Sequence, residues 1–174
     1  MIRMRPMLYL CALLSATPAW ALCAFQTSSD ELSRQLDAAE SAYESADVEG
    51  FTGAMDEASM ALPCLTDTLT PFLAARLHRI QGVRMFGEGN NVHAREALRA
   101  ARRVDPDALL STDLVPEGHP IREMFATAAK ADLATEAVPV PATGTVLLDG
   151  LGDVGRPVAQ AVIVQLTDAA GKPV

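Results

Sequence analysis

The sequence predicts a mainly helical protein that ends in a short, incomplete antiparallel β segment. Apolar residues recur at helical spacing through most of the chain, and prolines and capping residues divide this region into helices. Near the C-terminus the pattern changes to short β-branched runs. We therefore divide the chain into a signal peptide (1–21), a helical domain (22–134), a proline-containing linker (135–143) and a partial β-module (144–174).

The N-terminus has the pattern of a secretory signal peptide. Arg3 and Arg5 form a positive region, residues 7–14 are apolar, and Ala-Trp-Ala at 19–21 is a small-x-small cleavage site. The apolar run is shorter than the roughly 20 residues that cross a bilayer. Cleavage after residue 21 predicts an exported protein, periplasmic, associated with the cell envelope or secreted, with no transmembrane anchor in the mature chain.

The net charge excludes two classes of partner. The chain carries −8, and loss of Arg3 and Arg5 with the signal peptide makes this −10. Nucleic acid and anionic membrane surfaces repel such a chain.

The charge is unevenly distributed along the helical region. Residues 30–57 contain nine acidic residues and one arginine, whereas residues 76–103 contain seven arginines and two glutamates. Either these segments attract each other within the fold, or the basic surface faces a partner.

Two cysteines, Cys23 and Cys64, remain after Cys11 is lost with the signal peptide. In an oxidising compartment such a pair most simply forms one disulfide. It would close a loop of about 40 residues, stabilise the fold by roughly 2–4 kcal/mol, and hold the N-terminus on the helical body. A lipid anchor at Cys23 is disfavoured because Leu22 stands where such signals have a small residue.

The first two helices are predicted to form a hairpin. Ser28 and Glu31 form a capping box for a helix that ends near Ala46. Asp47 caps a second helix, which Pro63 ends. The apolar positions are Leu32, Leu36, Ala39 and Tyr43 in the first helix, and Val48, Phe51, Met55, Ala58 and Leu62 in the second.

Three further helices are bounded by prolines and glycines. The third is capped by Thr70, begins at Pro71 and ends at the glycine-rich residues 87–89, and the fourth spans 92–103. A fifth helix begins at Pro120, is expected to cap the end of the preceding pair, and ends near Leu133. The apolar positions are Phe72, Ala75, Ile80 and Val83, then Ala94, Ala97, Leu98 and Ala101, then Ile121, Phe125 and Ala128.

Residues 145–148 and 161–166 are predicted to be two strands of a small antiparallel module. Two strands cannot bury a core unaided. The segment looks like the beginning of a small β-sandwich of the kind appended to exported bacterial proteins. Because Val174 follows a turn that would lead into another strand, we expect a truncated chain unless another chain completes this edge.

The hairpin at residues 75–108 carries small residues at fixed intervals. Five positions fit a pattern of Gly, Ala, Phe or Leu, Ala and Pro: Gly82, Ala94, Leu98, Ala101 and Pro106. The helical part thus resembles the tetratricopeptide repeat (TPR) family, whose unit of about 34 residues packs two helices closely. His78, Gln81 and Met85 depart from the pattern. The resemblance implies a helical scaffold that binds other proteins; the alternative is an unrelated alanine-rich bundle.

The resemblance also implies a ligand groove along the inner face of the third helix. Four residues share that face because they lie three, four and three positions apart: Arg76, Arg79, Val83 and Phe86. Two guanidinium groups beside an apolar pair would suit a protein or peptide that carries an acidic group, or a free C-terminal carboxylate, followed by an apolar side chain. Alternatively, the two arginines pair with Glu40 or Glu44 of the first helix.

No pattern in the sequence indicates catalysis or a cofactor. His78, His93 and His119 lack metal-ligand spacing and are interpreted as solvated surface side chains. Residues 150–155 match G-x-G-x-x-G, but the segment that follows is extended and offers phosphate no helix N-terminus. We predict a glycine-rich loop there, no catalytic, cofactor-binding or metal-binding residues, and a protein that is not an enzyme.

The predicted function is therefore that of an exported adaptor or scaffold that binds another protein or peptide in the cell envelope. One alternative is an accessory part of an envelope enzyme whose catalytic region lies beyond the C-terminus. A second is a purely structural envelope component.

Overall fold

The computed structural model describes residues 23, 25–128, 134–152 and 155–174. In these residues it contains five α-helices followed by two small antiparallel sheets, which confirms the predicted fold class. The predicted signal peptide and the predicted end of the fifth helix lie outside the described residues. The helices are α1 (Ser29–Glu44), α2 (Val48–Ala61), α3 (Pro71–Gly87), α4 (Asn91–Val104) and α5 (Pro120–Ala128).

Side-chain caps fix where the helices begin. Ser28, Asp47 and Thr70 each accept a hydrogen bond from a backbone N–H three residues further on, as the sequence predicts. Asn90 caps α4 in the same way. Such caps satisfy N–H groups that have no partner within the helix, so the boundaries are set locally by the sequence.

The N-terminal segment is held against the end of α2. A 3₁₀ turn at Leu62–Cys64 follows α2. It brings the sulfur atom of Cys64 within disulfide distance of the sulfur atom of Cys23, and the Cα atoms of the two cysteines are 5.4 Å apart. Thr27 adds two backbone hydrogen bonds, to Cys64 and Thr66. The predicted cysteine pair therefore lies where the N-terminus meets the helical body.

Helix α3 is the central element and is buried on nearly every side. Its N-terminal half packs with α1 and α2 in one apolar core, and its C-terminal half packs with α4, α5 and the loop between them in another. Helices α3 and α4 approach each other closely at Gly82, where an added Cβ would lie only 2.6 Å from Leu98 Cδ2. Its buried residues are Leu73, Ala74, Ala75, Leu77, His78, Ile80, Gly82 and Val83.

Two predicted core positions are wrong. Phe72 is 68% exposed and Val48 is 75% exposed. Each lies in the first turn of its helix, at the periphery of the packed region, where helical spacing alone does not determine burial.

The C-terminal part forms four short strands: β1 (Thr135–Ala137), β2 (Thr145–Leu148), β3 (Gly155–Pro157) and β4 (Val164–Thr167). β1 pairs with β3, and β2 pairs with β4, both antiparallel. The strand predicted at 145–148 is confirmed, and the second predicted strand begins at Val164. Strand β1 occupies the first residues of the predicted linker, because it finds a partner in a Gly-Arg-Pro segment that carries no strand pattern.

The turn that follows β2 rests on the helical domain. Asp149 and Gly150 both have positive φ angles, 53° and 78°, as in the type I′ turn that Asp-Gly favours. A Cβ at Gly150 would lie 2.3 Å from the carbonyl oxygen of Leu69, so only glycine fits there. Gln165 of β4 accepts a hydrogen bond from the N–H of Leu69 at 2.8 Å. Strands β2 and β4 thus have buried residues on one face and are held against the helical domain at Leu69.

The carboxylate of Asp149 stabilises the contact between this turn and the helical domain. It is fully buried, and it lies 2.7 Å from His78 Nε2 of α3 and 2.5 Å from Arg103 of α4. It also accepts a hydrogen bond from the N–H of Ile163 at 2.8 Å. His78 is 2% exposed, so its interpretation as a solvated side chain is wrong. Burying a charge is costly unless it is paired and hydrogen-bonded, and Asp149 has both kinds of partner.

Removal of this carboxylate should destabilise the whole chain. We expect Asp149→Ala to lower the free energy of unfolding by about 3–5 kcal/mol, since Arg103 and His78 lose a buried partner. Urea denaturation followed by circular dichroism measures the change. Glu136→Ala removes an exposed carboxylate, paired with Arg156 of the same β segment, and should change stability by less than about 0.5 kcal/mol. Equal effects of the two substitutions would contradict the anchoring role of Asp149.

Candidate functional site

The arginines predicted to bind a partner face α1 instead. The side chain of Arg76 is 12% exposed, and its guanidinium group lies 2.6 Å from Asp37 and 2.5 Å from Glu40. Arg79 lies 3.8 Å from Glu40. The structure therefore shows the intramolecular pairing with Glu40, whereas Glu44 takes part in neither arginine's ion pairs. The opposite charges of the two segments attract each other here across the helix interface.

These ion pairs perturb the two arginines differently. Burial acts to lower the pKa of Arg76, but the hydrogen bonds and charges of Glu40 and Asp37 outweigh it, so the pKa lies above its ordinary value. Burial lowers the pKa of Arg79, and the attraction of Glu40 does not fully offset this. Arginine stays protonated in proteins, so both remain charged. Any anionic ligand would compete for them with α1.

The two apolar residues predicted for the same face are also packed within the protein. Val83 is 3% exposed and belongs to the core that α3 shares with α4 and α5. Phe86 packs edge-on against the ring of His119, with centroids 5.4 Å apart. Val83 contributes to the groove described next, and the other three predicted residues do not line it.

A groove of about 550 Å³ opens where the two hairpins meet. Its walls come from the end of α1, the turn into α2, the last turns of α3, and the loop between α4 and α5. Tyr43 and Phe51 meet edge to face there, with ring centroids 5.2 Å apart, and Val83 and Leu114 complete an apolar surface. A volume of this size and an apolar lining are typical of ligand sites in proteins.

The loop that forms one wall is clamped by Arg122 of α5. Its Nε donates to the carbonyl oxygen of Val115 at 2.7 Å and to that of Pro116 at 3.0 Å. Its terminal nitrogen donates to the carbonyl oxygens of Ser111, at 2.9 Å, and Val115. A guanidinium fork that satisfies several carbonyl groups at once holds the loop in one conformation.

The rim of the groove is acidic. Arg84 is its one cation among the described residues, and it already pairs with Glu88 at 2.9 Å and with Asp56 at 2.8 Å. The hydrogen bond to Glu88 raises the pKa of Arg84, with burial opposing it and Asp56 adding to it. The rim therefore has an excess of negative charge, and its exposed carboxylates are Glu44, Asp47, Glu88 and Asp113.

Sequence reasoning did not find this groove. Tyr43 and Phe51 have the helical spacing of core residues, and the loop carries turn formers without an apolar pattern. The acidic bias of residues 30–57 was the one available signal, and it does not show which carboxylates stay unpaired.

Other kinds of site find no support in the described residues. There, no group of three His, Cys, Asp or Glu side chains could hold a metal ion, and no helix is long and apolar enough to cross a membrane. In the G-x-G-x-x-G segment, the described residues form the type I′ turn and the start of β3. Comparisons with protein-family models, curated proteins and solved structures found no match to this chain.

Loss of the Arg122 clamp should loosen the groove wall. We expect Arg122→Met to speed hydrogen exchange of the amides in residues 111–118 and to cost about 1–3 kcal/mol, since several carbonyl groups lose their donor. Exchange measured by mass spectrometry should change little in α1 and α2. Arg95→Met is the matched control, because Arg95 is exposed and makes no hydrogen bond or ion pair among the described residues. Unchanged exchange in the loop would show that Arg122 does not hold it.

Proposed function

We propose that this chain is an exported adaptor that holds a segment of another protein in the groove between its helical hairpins. Export is supported by the signal-peptide pattern of residues 1–21 and by the cysteine pair at disulfide distance, which suits an oxidising compartment. Binding to a protein segment is supported by the groove itself. The TPR resemblance of the helical part, which implies a protein-binding scaffold, points to the same function.

The groove itself carries this proposal, because it is an open space of about 550 Å³ with an apolar lining between fixed walls. Aromatic side chains such as Tyr43 and Phe51 are the residues on which protein interfaces most depend. The walls belong to two helix ends and a clamped loop, so little ordering is needed when a ligand binds. Preorganisation of this kind raises affinity for a short segment.

The experiment fills the groove without disturbing the core. Gly87 lines the groove, and a Cβ added there would meet no atom within 4 Å. Gly53 of α2 offers the same open space but does not line the groove. Gly87→Phe and Gly53→Phe are therefore matched substitutions that place the same side chain inside and outside the groove.

We expect partners recovered with the wild-type chain from an envelope extract to be retained by Gly53→Phe. Their recovery with Gly87→Phe should fall at least about tenfold, which corresponds to about 1.4 kcal/mol. Quantitative mass spectrometry of the recovered proteins measures both, and circular dichroism checks that the variants are folded. Partners that bind both variants equally would contradict a role for the groove.

A further inference from the structure

The groove has a charge that its own chain does not neutralise. Glu44 and Asp47 reach it from the turn between α1 and α2, and Asp113 reaches it from the loop between α4 and α5. Within the part of the chain that the structure describes, no basic side chain lies within ion-pair distance of these three carboxylates. Arg84 is occupied by Glu88 and Asp56, so the remaining negative charge faces solvent.

The same groove pairs this charge with an apolar floor. Tyr43, Phe51 and Val83 line the groove together with carboxylates that come from two separate parts of the chain. A cationic side chain on the ligand would meet acidic groups from both walls, while a neighbouring apolar side chain would cover the floor. Opposite charges of this kind select partners and speed their association.

From this combination we infer that the groove selects a positively charged protein segment, in which a lysine or arginine stands next to an aromatic or aliphatic residue. This inference rests on the proposed function and names the chemistry of its ligand. It reverses the charge predicted from the sequence, which was that of an acidic peptide.

An acidic ligand fits the site poorly for two reasons. Arg76 and Arg79, the cations expected to attract it, are paired with α1 outside the groove. At the groove, its charge would meet Glu44 and Asp113, and like charges brought together oppose binding.

Selection from a random peptide library displayed on phage tests the inference. The target is the chain recovered after expression of the full sequence. We expect enriched peptides to carry lysine or arginine within a few positions of an aromatic or aliphatic residue. Each is then synthesised with a fluorophore, and its affinity is measured by anisotropy at low and high salt, where screening should weaken binding.

Removal of two rim carboxylates gives the decisive comparison. Glu44→Gln/Asp113→Asn should weaken these peptides about tenfold or more, and Asp47 is left intact because it caps α2. Glu57→Gln/Glu123→Gln removes the same charge from exposed positions outside the groove and should leave affinity unchanged.

Two outcomes would contradict the inference in different ways. If enriched peptides are acidic or neutral, and lose binding with Gly87→Phe but not with the rim variant, the charge preference is wrong while the groove still binds protein segments. If no enriched peptide loses binding with Gly87→Phe, then both the charge preference and the proposed function are wrong.

Discussion

Helix α3 must bury almost its whole surface, and it contacts α1, α4, α5 and the β segment at once. A helix in this position cannot be amphipathic, because it has no side that faces water along its length. Its polar residues must each find a partner in another element, since an unpaired charge in the interior is costly. Arg76 meets Glu40 of α1, and His78 meets Asp149 after β2. These pairs determine how α1 and the turn after β2 are positioned on α3.

The groove is a consequence of this arrangement. The first hairpin is held on α3 by ion pairs at Arg76 and Arg84, and α4 is drawn close where Gly82 meets Leu98. The loop beyond α4 is then clamped by Arg122, which leaves an open space above Tyr43 and Phe51. The described basic residues largely hold the chain's own elements together, so three of the carboxylates at the groove are left without a basic partner.

Local signals in the sequence predicted most of the secondary structure. Caps at Ser28, Asp47 and Thr70 and the run at 145–148 were found because each depends on a few neighbouring residues. The burial of His78 could not be found in this way, because its partner Asp149 lies 71 residues further along the chain. The groove could not be predicted for the same reason, since its walls come from separate segments of the chain. The turn at Asp149 and Gly150 lies where the sequence predicted a glycine-rich loop, and the positive φ angles that Asp-Gly favours are a local property of these two residues.

We propose that a partner binds in the acidic groove and not along the Arg76 and Arg79 face of α3. The most direct measurement is a two-dimensional ¹H–¹⁵N NMR titration of the labelled chain with a peptide that carries lysine beside phenylalanine. We expect the shifted amides to cluster in residues 43–52, 83–88 and 113–116, the segments that supply the residues lining the groove. Shifts centred on Arg76, Arg79 and the facing surface of α1, with the groove residues unmoved, would contradict it.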